Sequence, residues 1–311
     1  LRPGRLPEDG AGLVGKRNER KTAPMEDLLL YLTNGVVMGT TYALVALGVT
    51  LIVGIMGIIN FAHGEFYVLA GYFSAIFAQQ AGLNPFASML VAIVLVFFVG
   101  LLIERFLIRP TYGEEMYSLI ITFILYIILQ NAYLVIFGPF PNKPPNWING
   151  ASNLYGIFFY GNQRLASFAA AASVIAIFML VISKTWLGRI IRSVAMDREM
   201  AAMLGVNTAR VNMLSFGLGC VLAACAGVIL TPVFPVTPTV GVGISLTAFV
   251  VMILGGLGSF TGCIIGGLLL GIVENLGVGY LSSGYKHLFG FVILILVLFF
   301  RPTGLFGQKQ L

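Results

Sequence analysis

Between Arg210 and Glu274 the chain runs for 63 residues without one Asp, Glu, Lys or Arg. A helix needs about 20 apolar residues to cross the hydrocarbon of a bilayer, so this stretch holds two or three crossings. The rest of the chain agrees: 58% of its 311 residues are hydrophobic, only 10% are charged, and the mean hydropathy is +0.96. These values exclude an ordinary water-soluble domain. Closed β-barrels also span membranes, but their short strands alternate polar and apolar residues, whereas these runs are long and continuous. The expected fold class is an all-α polytopic membrane protein.

Apolar runs predict helices over about 28–49, 50–80, 87–104, 116–137, 165–183, 211–231, 242–256, 262–281 and 286–301. That gives about 8–9 transmembrane helices, including interrupted or re-entrant segments. The second run is the interrupted one, broken by Gly54, Gly57 and Gly64 and by the polar Asn60, His63 and Glu65. Residues 1–24 are rich in Gly, Pro, Arg and Lys and are expected to be a disordered basic extension, with Met25 as the natural start. Residues 25–307 form the expected transmembrane domain, and 308–311 a C-terminal tail.

The net charge of +6 does not imply nucleic acid, because the basic residues collect in short loops and so report topology. Segment 184–210 carries Lys184, Arg189, Arg192, Arg198 and Arg210, and the link after the third run carries Arg105 and Arg109. Both are expected on the cytoplasmic side, with the C-terminus. The connection 138–164, with only Lys143 and Arg164 and many prolines, belongs on the opposite face. The side of the N-terminus depends on whether the interrupted run crosses once or twice.

Ionisable groups at bilayer depth cost roughly 2.5–3.5 kcal/mol on insertion scales, so Asn60, His63 and Glu65 form a candidate functional site. The bland alternative puts Glu65 at a hydrated interface. Glu274, beside Asn275, is a lesser candidate, as is Glu104, next to Arg105. Familiar chemistry is missing from the sequence. Gly10 to Lys16 imitates a phosphate-binding loop, but Arg17 stands where Ser or Thr must hold magnesium. His63-Gly64-Glu65 opens like a zinc deaminase motif, yet no P-C-x-x-C follows. Cys220, Cys225 and Cys263 have no metal or redox spacing and read as small buried hydrophobes. No cofactor or metal is expected.

Gly35 and Gly39, Ala223 and Gly227, Gly262 and Gly266, and Gly267 and Gly271 have the small-x-x-x-small spacing that lets helices approach in lipid. The stretches 52–72 and 250–272 loosely echo one another, as interrupted segments in transporters do. In the basic segment, Asp197 is a predicted helix N-cap, Glu199 lies in the first turn, and Gly205 ends the short helix. The apolar side of that helix, with Met200, Ala201, Met203 and Leu204, has nothing of its own to cover. It fits docking into a partner's groove or lying on membrane lipids.

Four separated motifs carry a resemblance: Gly57-Ile-Ile-Asn-Phe-Ala-His-Gly-Glu65; Arg192 to Asp197 with Met200 to Asn207; Gly255-Gly-Leu-Gly-Ser-Phe-Thr-Gly262; and Arg301 to Gly307. Together they resemble the branched-chain amino acid ABC-transporter permease family, in its first permease subunit, over about Met25 to Gly307. The resemblance implies a non-enzymatic subunit of an ATP-driven importer in the bacterial inner membrane. It implies a sister permease, ATPase subunits that bind the ATP, and a periplasmic or lipid-anchored binding protein. It places Asp197, Glu199, Ala201, Ala202 and Gly205 in the ATPase-coupling segment, while the break in the helix puts Asn60, His63 and Glu65, with Glu274 as a lesser candidate, on the expected translocation pathway. Glu199-Met200-Ala201-Ala202 departs from the usual coupling pattern, and Gly205 comes early. The implied substrates are branched-chain or related small amino acids. Alternatives are the same permease type acting on urea or short amides, and an ion-coupled secondary transporter using Glu65 and Glu274.

Overall fold

The computed structural model describes residues 24–154 and 158–307. The expected tail 308–311, and the expected extension apart from Pro24, lie outside the described residues. Among the described residues, eleven α-helices follow in order: α1 (Pro24–Met56), α2 (His63–Gln79), α3 (Pro85–Ile103), α4 (Glu115–Phe137), α5 (Asn162–Lys184), α6 (Trp186–Met196), α7 (Arg198–Met203), α8 (Thr208–Leu230), α9 (Val240–Gly255), α10 (Phe260–Tyr280) and α11 (Lys286–Phe300). One antiparallel hairpin, β1 (Ala151–Leu154) and β2 (Phe158–Gly161), interrupts the all-α pattern, with Ala151 opposite Gly161.

Six of these helices, counting α3 with its continuation to Thr111, are long and apolar enough to cross a membrane. α2, α9 and α11 are apolar but shorter, at 17, 16 and 15 residues. The expected boundary at residues 49 and 50 is wrong. α1 continues unbroken to Met56, and the chain leaves it only at Gly57, whose φ of +68° is open to glycine and strained for other residues. Nothing in Val49-Thr50-Leu51 favours a turn, so the interruption is confined to residues 57–62.

α1 and α8 are buried over most of their length, while α3, α4 and α5 turn Phe98, Leu102, Ile128 and Ile177 outward. Apolar side chains facing out around a buried pair are what lipid as solvent permits. α1 packs most extensively on α10. Their contact is a glycine seam in which a methyl added at Gly271 would lie 2.4 Å from the Gly39 Cα and one at Gly35 2.7 Å from the Ile272 Cα. Gly267 meets Ala43 in the same way, at 2.7 Å from its nitrogen. Gly262 approaches the Gly255 carbonyl, and Gly227 approaches the Tyr67 carbonyl. The small-residue spacing therefore marks real backbone contacts, with dispersion replacing the hydrophobic drive that lipid removes.

The two ends of the bundle differ in charge. At one end Arg198 stacks over Tyr112, Gly54 faces Gly258, and the Leu305 and Phe306 amides donate to the Leu254 and Gly255 carbonyls. This end gathers Arg105, Arg109, segment 184–210 and Arg301. At the other, Asn142 pairs with Val236, Tyr31 packs edge-on against Tyr280, and Arg164 donates to the Asn34 side chain at 3.0 Å.

Candidate functional site

The break between α1 and α2 is closed by side chains from distant helices. Gly64, at the start of α2, donates its N–H to the Ser245 hydroxyl of α9 at 2.7 Å, and that hydroxyl donates to the Phe61 carbonyl at 3.1 Å. Asn60 Oδ1 accepts from the Ala62 N–H at 3.0 Å, and the Thr122 hydroxyl of α4 accepts from the Phe61 N–H at 3.4 Å. Irregular backbone in an apolar bundle survives only when its polar groups find such partners. Replacing Ser245 by Ala removes one atom and orphans a buried donor and acceptor together. Each orphan costs about 1–3 kcal/mol, so thermal unfolding of the detergent-solubilised S245A protein should move several degrees down, with Ser245→Thr less affected.

Asn60, His63 and Glu65 are all buried. The His63 ring faces the Val45 carbonyl and packs where a methyl on Gly48 would meet it at 2.9 Å. Glu65 is the third residue of α2, and its carboxyl rests on Gly241, the second residue of α9. A methyl there would stand 2.1 Å from Oε1. Tyr133 of α4 donates to the Glu65 carbonyl at 3.1 Å. The carboxyl thus lies against the first turns of two helices, and neither of its oxygens has a hydrogen-bond partner among the described residues.

Glu274 lies elsewhere. It accepts from the Tyr42 hydroxyl at 2.8 Å, and Lys286 Nζ stands 3.8 Å from its Oε2. Glu274 and Lys286 line a cavity of about 350 Å³ bounded by α1, α2, the end of α8, α9, α10, the start of α11 and the 231–239 link. Asn60, His63 and Glu65 do not line it. The two places are joined through α9: Gly241 and Ser245 face the break, while Val240, Gly243, Ile244 and Thr247 face the cavity. Reasoning from sequence missed Tyr42, Ser245 and Lys286. Lys286 alone carried a signal, as a lone cation opening an apolar run.

At the basic end, Asp197 caps α7 as expected, accepting from the Met200 N–H at 2.8 Å. Gly205, at φ +83°, ends it. Ala201 is buried and Glu199 and Ala202 are exposed, while Met196, Met203 and Leu204 are each at least 79% exposed. That apolar knob stands clear of the rest of the chain. Behind it, one turn of π-helix over Glu104–Ile108 brings the buried Glu104 carboxylate to Arg109, at 2.9 Å, and to the Tyr112 hydroxyl. The five-residue spacing needs the wider turn. Burial and the neighbouring Glu104 push the Tyr112 hydroxyl well above its ordinary pKa. It is therefore a proton donor at every physiological pH. Arg198, the first residue of α7, lies 5.4 Å over the same ring, which holds the start of α7 against the turn between Thr111 and α4.

The profile of the family described as branched-chain amino acid transport system, permease component, matches residues 31–298. The high-affinity branched-chain amino acid transport system permease protein LivH of Salmonella typhimurium is 36% identical over 292 residues, covering 89% of this chain and 94% of that protein. LivH of Escherichia coli K12 matches with the same identity and coverage. The corresponding protein BraD of Pseudomonas aeruginosa is 36% identical over 297 residues, 91% of this chain and 96% of its own length. No solved structure matches the chain.

Proposed function

Because the chain belongs to the family of branched-chain amino acid transport system permease components, we propose that it is the membrane pathway subunit of an ATP-driven importer of branched-chain or related small amino acids. The carrying observation is near full-length likeness to relatives of that activity, at 36% identity. In this reading a sister permease completes the pathway, a binding protein delivers substrate, and ATP is bound by separate ATPase subunits.

Nine crossings follow if α2, α9 and α11 span together with the six long helices. An odd number puts the two ends of the chain on opposite sides. The basic end, with segment 184–210, then faces the cytoplasm of a bacterial cell beneath the inner membrane, and Pro24 faces outward. α7 is the coupling helix. Asp197 holds its start and Gly205 its end, Ala201 seats it, and Glu199 and Ala202 lie on the surface offered to the ATPase. Glu274 lines the outer part of the pathway. Asn60, His63 and Glu65 hold the break behind α9, so that a shift of α9 moves the cavity wall and the break together.

Reconstitution tests this. Proteoliposomes holding this chain, its sister permease and the ATPases should accumulate leucine only with internal-facing ATP and binding protein. Uptake by this chain alone, driven by an ion gradient, would refute the reading. Within a working complex Glu65→Gln and His63→Ala should each lower uptake at least tenfold at normal membrane levels. Unchanged uptake removes the break from translocation.

A further inference from the structure

The cavity that Glu274 and Lys286 share has the composition of a small-molecule site. Its volume, about 350 Å³, falls at the small end of the roughly 300–1,000 Å³ typical of such sites, which are mostly apolar with a few placed polar groups. Here the apolar wall comes from Met38, Leu230, Phe234, Val240, Ile244 and Val278. The charged groups are Glu274 and Lys286, with Tyr42, Tyr67, Thr247 and Asn275 as the other polar side chains of the wall. Glu274 is 2% exposed and Lys286 37% exposed, so the anion is at depth and the cation at the mouth.

The ion pair is loose. Its 3.8 Å separation exceeds the 2.7–2.9 Å of a close charge-assisted hydrogen bond. From the same position Lys286 also lies 5.6 Å over the Tyr42 ring, so the ring shares in holding its charge. A buried ion pair in an apolar setting opens only if each charge finds another partner. A zwitterion provides both at once.

We propose that this cavity is a transient subsite for an α-amino acid, in which the substrate ammonium takes the Glu274 carboxylate and its carboxylate takes Lys286. The aliphatic side chain lies along Phe234 and Ile244. The exchange leaves the site electrically neutral before and after, so no net charge is buried. An uncharged solute of the same size leaves the Glu274 to Lys286 pair intact and gains nothing from it. A lone anion or cation answers only one member of the pair. The proposal rests on the import reading above and adds to it the place and chemistry of recognition.

The test separates the two. The full complex in proteoliposomes is irradiated with photo-leucine, a zwitterionic diazirine analogue of leucine, at millimolar concentration, and labelled peptides are mapped by mass spectrometry. Labelling is expected on the segments containing Met38, Phe234 and Ile244, displaced by excess leucine. It should fall at least fivefold in Glu274→Gln and in Lys286→Met, and return in the reversed pair Glu274→Lys with Lys286→Glu. Ile244→Trp, which fills the cavity and leaves the ion pair, should also abolish it, so the result does not depend on one charge variant folding. Label on other segments, or label indifferent to all these variants, overturns the subsite even if the wild-type complex imports leucine. Loss of leucine import by the wild-type complex instead counts against the function and not the chemistry of the cavity.

Discussion

Gly271→Val should all but eliminate folded protein from the membrane. The first carbon of the new side chain would stand 2.4 Å from the Gly39 nitrogen and Cα and 2.5 Å from the Gly35 carbonyl oxygen. These are backbone atoms of a buried helix, with no rotamer to adopt. Relief requires α1 and α10 to separate along a seam that continues through Gly35, Gly39, Ala43 and Gly267. Overpacking by a few methylenes usually costs about 1–3 kcal/mol where side chains yield. Against rigid backbone, and with the rest of the seam pulled open as the helices part, the cost approaches the whole stability of about 5–15 kcal/mol. Gly243→Ala is the matched control, since a methyl there meets nothing within 4 Å and sits inside a helix, where Ala is favoured. Immunoblots of membranes and size-exclusion profiles in detergent should show G243A as wild type and G271V reduced at least tenfold. Equal accumulation would mean that the seam does not hold the bundle together.

The second large effect concerns α7. Met203→Asp with Leu204→Asp should leave the permease folded and separate it from its ATPase. Both side chains are 79% exposed and contact nothing the fold depends on, so the double change leaves the bundle intact. If this knob fills a groove in the ATPase, each side chain is an anchor of the kind worth about 2 kcal/mol on truncation. Placing two carboxylates in the same groove adds desolvation without partners. Co-purification should fall more than a hundredfold, and ATP-dependent uptake with it, while membrane insertion and thermal stability stay unchanged. Retained co-purification would move the docking surface away from residues 196–204.

Much of this architecture could be read from residue order. A run without charge forces crossings wherever it occurs, and Gly57 with Asn60 and His63 is too polar a passage to continue a lipid-facing helix. Asp197 and Gly205 mark the ends of α7 because capping oxygens and left-handed glycines act within a few residues of themselves. The partners of the break were illegible for the opposite reason. Ser245 lies about 180 residues from Gly64 and reads as one more small residue in an apolar helix. Glu274 was visible as a misplaced charge, but its cavity and its Tyr42 and Lys286 neighbours depend on how six helices meet. The Glu104 to Arg109 pair was hidden by its spacing, which an ordinary helix would splay apart and a π-turn aligns. The end of α1 was misplaced because composition alone does not tell a helix of ordinary span from one of 33 residues.

The glycine seam also sets a schedule. α1 leaves the ribosome well before α10, with roughly 230 residues between Gly39 and Gly271. At translation speeds of about 5–20 residues per second, the partner arrives on the order of 10–50 s later. During that interval the groove along Gly35 and Gly39 is filled by lipid or by a chaperone, because no side chain of its own covers it. Completion of the bundle therefore waits for α10 to close on α1, and a nascent chain stalled before α10 leaves a largely buried helix without its principal neighbour.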